Sequence, residues 1–360
     1  MTHKFSLIVF FALALMGPQL AGCAELVPYP VKDSGMLTEE ADLVWLDNQR
    51  VLFHGYKAVE QAKTAEEFPR YIDRGLYLWD TTTGSIELYD MFEQRKDGLQ
   101  LKSPLCVHDG VLTYVNRGMV ITGKRGEETK TPFPKPSHWF NPHSCRYSET
   151  KPFWLVEGHR TIPLLEEHGY LDLRTRPEPD YLTLRLEDPN PAIRFYSVEA
   201  KKSFPLPIGW LEVGFLQTHY AQFSSTYLLA GLQYYDDKRG FSSAWPDDVP
   251  LKVWWLSPDG QIKKEELPKL PWSHGNSFSF LPTRKGLLLI KQSPSGPQPL
   301  GAMGGYLVQG QEVKNVVAGA LRKVVISPDG CTVAAVNDTY MKKPVNERMR
   351  LQIIELCQGE

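Results

Sequence analysis

Three stretches of this 360-residue chain set a histidine beside an aromatic ring: His138-Trp139 with His143 close behind, His219-Tyr220, and Trp272-Ser-His274. Imidazoles that converge from separate segments can hold a divalent metal or move protons near neutral pH. The aromatic neighbours, Trp139 and Trp272 in particular, could stack on a sugar ring. The competing account is that these are loop histidines that cap backbone groups. No His-x-x-x-His run or paired carboxylates sharpen the metal case. Asp338, His54, Arg117, Glu157, His159 and Asp236 fall near the ends of apolar runs and could join such a site. No cofactor is expected from any motif, and a divalent metal on the histidines is the one candidate. Nucleophile elbows, phosphate loops and haem-attachment motifs are absent from the sequence.

The elements that would position these residues are short paired strands. Val324 to Asp338 is the clearest case: β-branched Val324-Val325-Ile326, then the turn Ser327-Pro328-Asp329-Gly330, then a second apolar run. Proline presets φ, aspartate bonds its own backbone, and glycine accepts positive φ. Looser copies lie at Leu43–Tyr56, Leu105–Asn116, Ser144–Glu157, Ala221–Tyr235 and Phe278–Lys291. Second hairpins follow at Gly75–Leu88, Ile193–Pro205, Val253–Leu267 and Tyr306–Val316. Two hairpins make a four-stranded sheet, and six in series predict an all-β β-propeller of six four-stranded blades, with seven as the alternative. The gap about 160–190 is expected to be an inserted hairpin or the seventh blade, and Ala58 to Phe68 reads as helical. Trp254 and Trp255 are expected in blade cores.

The SPDG turn and the strand–Asp–Thr-Gly–strand pattern of Leu76 to Leu88 resemble WD-repeat-like and TolB-type propellers. Ser257-Pro-Asp-Gly260 repeats the letters in a second hairpin. The last repeat is one strand short, and Leu26 to Val31 is expected to supply it.

Residues 1–22 read as a signal peptide, and 23–360 as one propeller domain. Lys4 precedes the apolar run Phe5 to Met16, which is too short to span a bilayer comfortably. Leu20-Ala21-Gly22-Cys23 resembles the bacterial lipobox, which implies a lipoprotein acylated on Cys23, with palmitate among the expected chains. Ala24, by resemblance to enterobacterial lipoproteins, implies the outer membrane and a periplasmic domain.

Four cysteines remain after Cys23. Cys331 opens one strand and Cys357 ends another, so antiparallel pairing would make their sulfurs neighbours. Cys106 and Cys145 each begin a first strand in adjacent repeats; a bridge and two buried thiols are both open. The net charge of −2 and the lack of a basic stripe argue against nucleic acid. The expected partners are the membrane, through the anchor, and an envelope protein. The expected role is a non-catalytic binding or scaffolding propeller. The alternative is a metal-assisted hydrolase or lyase.

Overall fold

The computed structural model describes residues 29–60, 63, 69–92, 105–134, 138–156, 159–173, 192–209, 216–231, 234–236, 240–242, 249–270, 278–291, 303–338 and 345–357. Cys23, Trp272, His274 and Glu157 lie outside them, and so does the Asp236 side chain.

Antiparallel sheets follow one another along the chain. The first blade takes the end of strand Val31–Trp45, then Arg50–Tyr56, Gly75–Asp80 and Ile86–Met91. The second is Cys106–His108, Val111–Asn116, Met119–Gly123 and Thr129–Pro132. The third is Arg160–Pro163, Gly169–Leu173, Ala192–Ser197 and Lys202–Gly209. The fourth is Leu216–Ala221, Thr226–Gly231, Lys252–Leu256 and Ile262–Glu266. The fifth is Phe278–Thr283, Gly286–Lys291, Gly304–Gln309 and Glu312–Ala318. The sixth is Ala320–Ile326, Thr332–Asp338 and Met349–Glu355, completed by the start of Val31–Trp45. The chain is therefore an all-β propeller, and its described residues give six four-stranded units, two of which share one strand.

Side-chain alternation explains why these sheets stand side by side. Successive residues of a strand point to opposite faces. In Thr226–Gly231, Tyr227 and Leu229 pack with Phe195 and Leu171 of the third blade. Leu228 and Ala230 pack with Phe280 and Leu289 of the fifth. Both faces are covered, so the strand reads as a continuous apolar run rather than an alternating one. Equivalent clusters join blades five and six, six and one, and one and two.

The ring closes through the shared strand. Val31 pairs with Ile354 and Leu37 with Arg350. After an irregularity between Thr38 and Leu43 the same strand turns back, and Trp45 pairs with Val51 of the first blade. The latch expected from Leu26 to Val31 is met at Pro30 and Val31 and runs on to Leu37; residues 26–28 lie outside the described ones. Burial sets its register: Ile353 and Ile354 are fully buried, and the pairing follows them.

Three expectations need correction. The hairpin expected over Ser144–Glu157 is not a blade. Trp139–Asn141 pairs instead with Arg146–Ser148, turning at Pro142 to Cys145. The inserted hairpin expected about 160–190 is, through its strands at 160–163 and 169–173, the first half of the third blade; residues 174–191 lie outside the described ones. Apolar content decides this: Leu164, Leu171 and Leu173 are buried, whereas Lys151, Phe153 and Glu149 are exposed. Finally, of the stretch Ala58 to Phe68 read as helical, Ala58–Glu60 is a strand paired with Arg70–Ile72, and residues 61–62 and 64–68 lie outside the described ones. Among the described residues, no helix is long and apolar enough to cross a membrane.

Candidate functional site

The blades give the molecule two ends. At one end lie the turns between first and second strands of each blade. These turns touch. The Asp329 amide donates to Asn48 Oδ1 (3.0 Å), and the Arg284 amide donates to the Gly330 carbonyl (2.9 Å). Gly330 has φ +77°, and a Cβ there would fall 2.6 Å from the Phe223 ring, so the SPDG turn needs its glycine for close approach as well as for conformation. This recognisable motif is a structural joint.

At the other end, where second strands finish, buried polar groups recur from blade to blade. The Thr38 hydroxyl donates to the His54 carbonyl, and the His54 ring packs edge-on against Phe92. Desolvation, with Arg74 nearby, holds the His54 imidazole down at about 4. Asn116 Nδ2 donates to Asp90 Oδ2 (2.7 Å), which also accepts from the Tyr114 hydroxyl (3.0 Å). Burial and the Asp90 charge push the Tyr114 phenol up. His159 Nδ1 lies 2.9 Å from Asp172 Oδ1. Lys291 is 2% exposed, and burial pulls its ammonium pKa down. Asp338 is 1% exposed and sits between Arg322 (3.2 Å) and Arg348 (2.8 Å).

An axial cavity of about 580 Å³ lies among the innermost strands, with walls from Val44, Val107, His219, Ser279, Leu321 and Val325. His219 faces it, and burial, with a lesser contribution from His143, holds this imidazole at about 4. Tyr220 also reaches the cavity, but its ring packs on Tyr227 (4.8 Å) and beside His168.

Of the expected histidines, His143 stands close enough to His219, and to His108, for their charges to oppose one another. His143 sits beside Pro163 at the turn end; burial lowers its imidazole pKa, its hydrogen bond to the Pro163 carbonyl opposes this, and His108 adds to the lowering. His138 lies 3.8 Å from the Glu149 carboxylate. Trp139 is 41% exposed and free to stack on a ligand. Asp338 is consumed by its two arginines rather than facing a ligand. Among the described residues, no group of three or more His, Cys, Asp or Glu could hold a metal ion. His274 and Trp272 lie outside them. Trp254 is core, at 1% exposure; Trp255 is half-buried, its Nε1 donating to Glu265 (2.8 Å).

Both disulfides are present, Cys331–Cys357 and Cys106–Cys145. The second pins the small hairpin 139–148, whose Asn141 Nδ2 and Ser144 Oγ donate to Glu166 in the third blade's first turn. The His159–Asp172 pair cannot be read from the sequence, because the fold brings its two residues together.

No family model matches the chain, and no curated protein does either. Among solved structures it is similar to the Myceliophteria thermophila Cps50 (Swd1) beta-propeller domain (10% identity, TM-score 0.42, 91% of this chain and 99% of that one). It is similar also to an oligogalacturonate lyase of Vibrio parahaemolyticus (11%, TM-score 0.37, 92% and 94%). YCF48 bound to D1 peptide is a third (13%, TM-score 0.36, 91% and 95%). At such identities and TM-scores none of the three bears on what this chain binds or does; the propeller is read from its own sheets.

Proposed function

We propose that this protein is an envelope lipoprotein that holds a binding propeller at the outer membrane, in the periplasm, and presents one end of the ring to a protein partner. The observation that carries the reading is where the chain enters the fold. The Glu355 amide donates to the Pro30 carbonyl, so the chain joins the ring at the turn end. Cys23 precedes Pro30 by a few residues, which span at most about 20–25 Å fully extended. An acylated Cys23 would therefore hold the turn end toward the lipid and the opposite end outward. The strand ends flanking 174–191, 292–302 and 339–344 all lie at that outward end. Connections of this length are where binding function concentrates.

The test has two arms. Cys23→Ser should release the protein from the membrane fraction and abolish palmitate labelling. A photo-crosslinker at Arg117, on the outward end, should capture one envelope protein that the same probe at Asp259, on the turn end, does not. Membrane retention of the Cys23→Ser protein, or equal capture from both ends, would overturn the reading.

A second reading, a propeller hydrolase or lyase, draws on one observation: the His159–Asp172 pair orients an imidazole as a general base requires. Loss of a hydrolytic or eliminating activity in His159→Gln, with the fold intact, would favour it.

A further inference from the structure

The axial cavity has a definite chemistry. Its volume falls within the range of small-molecule sites. Most of its wall is apolar, built from Val44, Val107, Leu281, Leu321 and Val325, with Trp45 beside them. Trp45 is fixed in place, its Nε1 donating to the Val325 carbonyl (3.3 Å). Two cations, Arg322 and Lys323, contribute to the same lining, and no carboxylate does among the described residues. Their carboxylate partners lie off the lining: Asp338 for Arg322 (3.2 Å) and Asp42 for Lys323 (2.6 Å). A guanidinium carries five donor hydrogens and an ammonium three, so one carboxylate contact leaves donors over.

His219 adds a second argument. Its imidazole is half-buried and faces the cavity, and burial holds it neutral near pH 7. Its ring N–H can donate to a ligand oxygen there. Ser279 offers a hydroxyl to the same space.

We propose that the axial cavity binds a small amphipathic anion: an apolar body carrying one carboxylate, sulfonate or phosphate group. The apolar wall takes the body. Lys323 and Arg322 take the charge, and His219 and Ser279 fix its orientation. The proposal does not depend on the lipid anchor or on the protein partner, because every group it uses belongs to the innermost strands.

The probe is 8-anilinonaphthalene-1-sulfonate, titrated into the folded chain and followed by fluorescence. Its uncharged relative N-phenyl-1-naphthylamine is the control. Saturable binding at one site is expected, with the uncharged dye about tenfold weaker, as one charge-assisted contact would give. Lys323→Met should weaken the sulfonate dye about tenfold and leave the uncharged dye unchanged. Ser279→Phe, which fills the cavity, should remove saturable binding of both at an unchanged melting temperature. If Ser279→Phe does not fold, the Lys323→Met comparison still decides. Decanoate and phosphatidylglycerol vesicles are then tested as displacers: displacement by free decanoate alone points to a soluble anion, and displacement by vesicles to a membrane lipid. Displacement by neither, equal affinity for the two dyes, or binding unmoved by Lys323→Met overturns the proposal. Because Cys23→Ser should leave dye binding unchanged, failure here and failure of the anchor reading are separable.

Discussion

Two seams of the ring can be set side by side: blade six against blade one, and blade two against blade three. At the first, Ala334, Val336, Leu351 and Ile353 pack on Leu43, Val51, Phe53 and Tyr77, and one strand belongs to both blades. At the second, no apolar cluster spans the two blades among the described residues. A disulfide, a two-stranded hairpin and the Glu166 carboxylate stand there instead. The Cys106–His108 strand is only three residues long, so the second blade offers little innermost surface to its neighbour. A propeller can thus be closed by burial or by covalent and polar staples. The two kinds of closure answer to different solution conditions.

The largest expected effect tests the staple. The Cys106–Cys145 bridge closes a loop of 39 residues and Cys331–Cys357 one of 26. Loop entropy alone puts both near 4 kcal/mol, within about 0.5 kcal/mol of each other. If the second seam depends on its disulfide, Cys106→Ser/Cys145→Ser should cost clearly more in urea melts than Cys331→Ser/Cys357→Ser. Equal costs would reduce the bridge to loop closure and blur the contrast between seams.

Burial at the other seam should show next. Leu351 is fully buried among both blades, and Leu351→Ala should cost about 3 kcal/mol, read as a fall in denaturant midpoint with an unchanged slope. The loss should be the same in oxidising and reducing buffer. A redox-dependent loss would mean the two seams are coupled.

The smallest effect concerns pH. His143 stands at the stapled seam and His219 faces the cavity beside it, and burial depresses both imidazoles, His219 to about 4. A histidine whose folded pKa lies below its unfolded value of about 6.5 is protonated first in the unfolded chain. Stability is therefore full above about pH 6.5 and falls as pH drops toward 4. His219 accounts for roughly 2–3 kcal/mol of that loss. The variant His143→Gln/His219→Gln should flatten the fall, measured as melting temperature against pH. An unchanged profile would remove the two histidines from the acid sensitivity of this region.

Much of the fold was legible because it rests on local chemistry. The turn Ser327 to Gly330 announced its hairpin, and the apolar stretches in Ala221–Tyr235 and Phe278–Lys291 announced two more. The third blade was misread for an equally local reason. Ser144–Glu157 has strand-like letters but too few apolar residues to bury two faces, whereas the runs beyond His159 do. The candidate site was less legible. His138, His143, His219 and Asp338 were each marked by residue type, but type does not say which end of a strand faces solvent. Asp338 turned inward to two arginines, and His143 went to the turn end.

The sequence alone carried the all-β class, most of the hairpins and the Cys331–Cys357 pairing. Backbone propensity, alternation and turn chemistry act over a few residues, and they need no partner to be read. The strand shared by the first and sixth blades, the staple at the second seam and the walls of the axial cavity emerge only on folding. Each of these is made by residues far apart in the chain, and which of them meet is set by how blades pack face to face around one axis. The place of His219 on the cavity wall and the off-lining positions of Asp42 and Asp338 exist only in that packing.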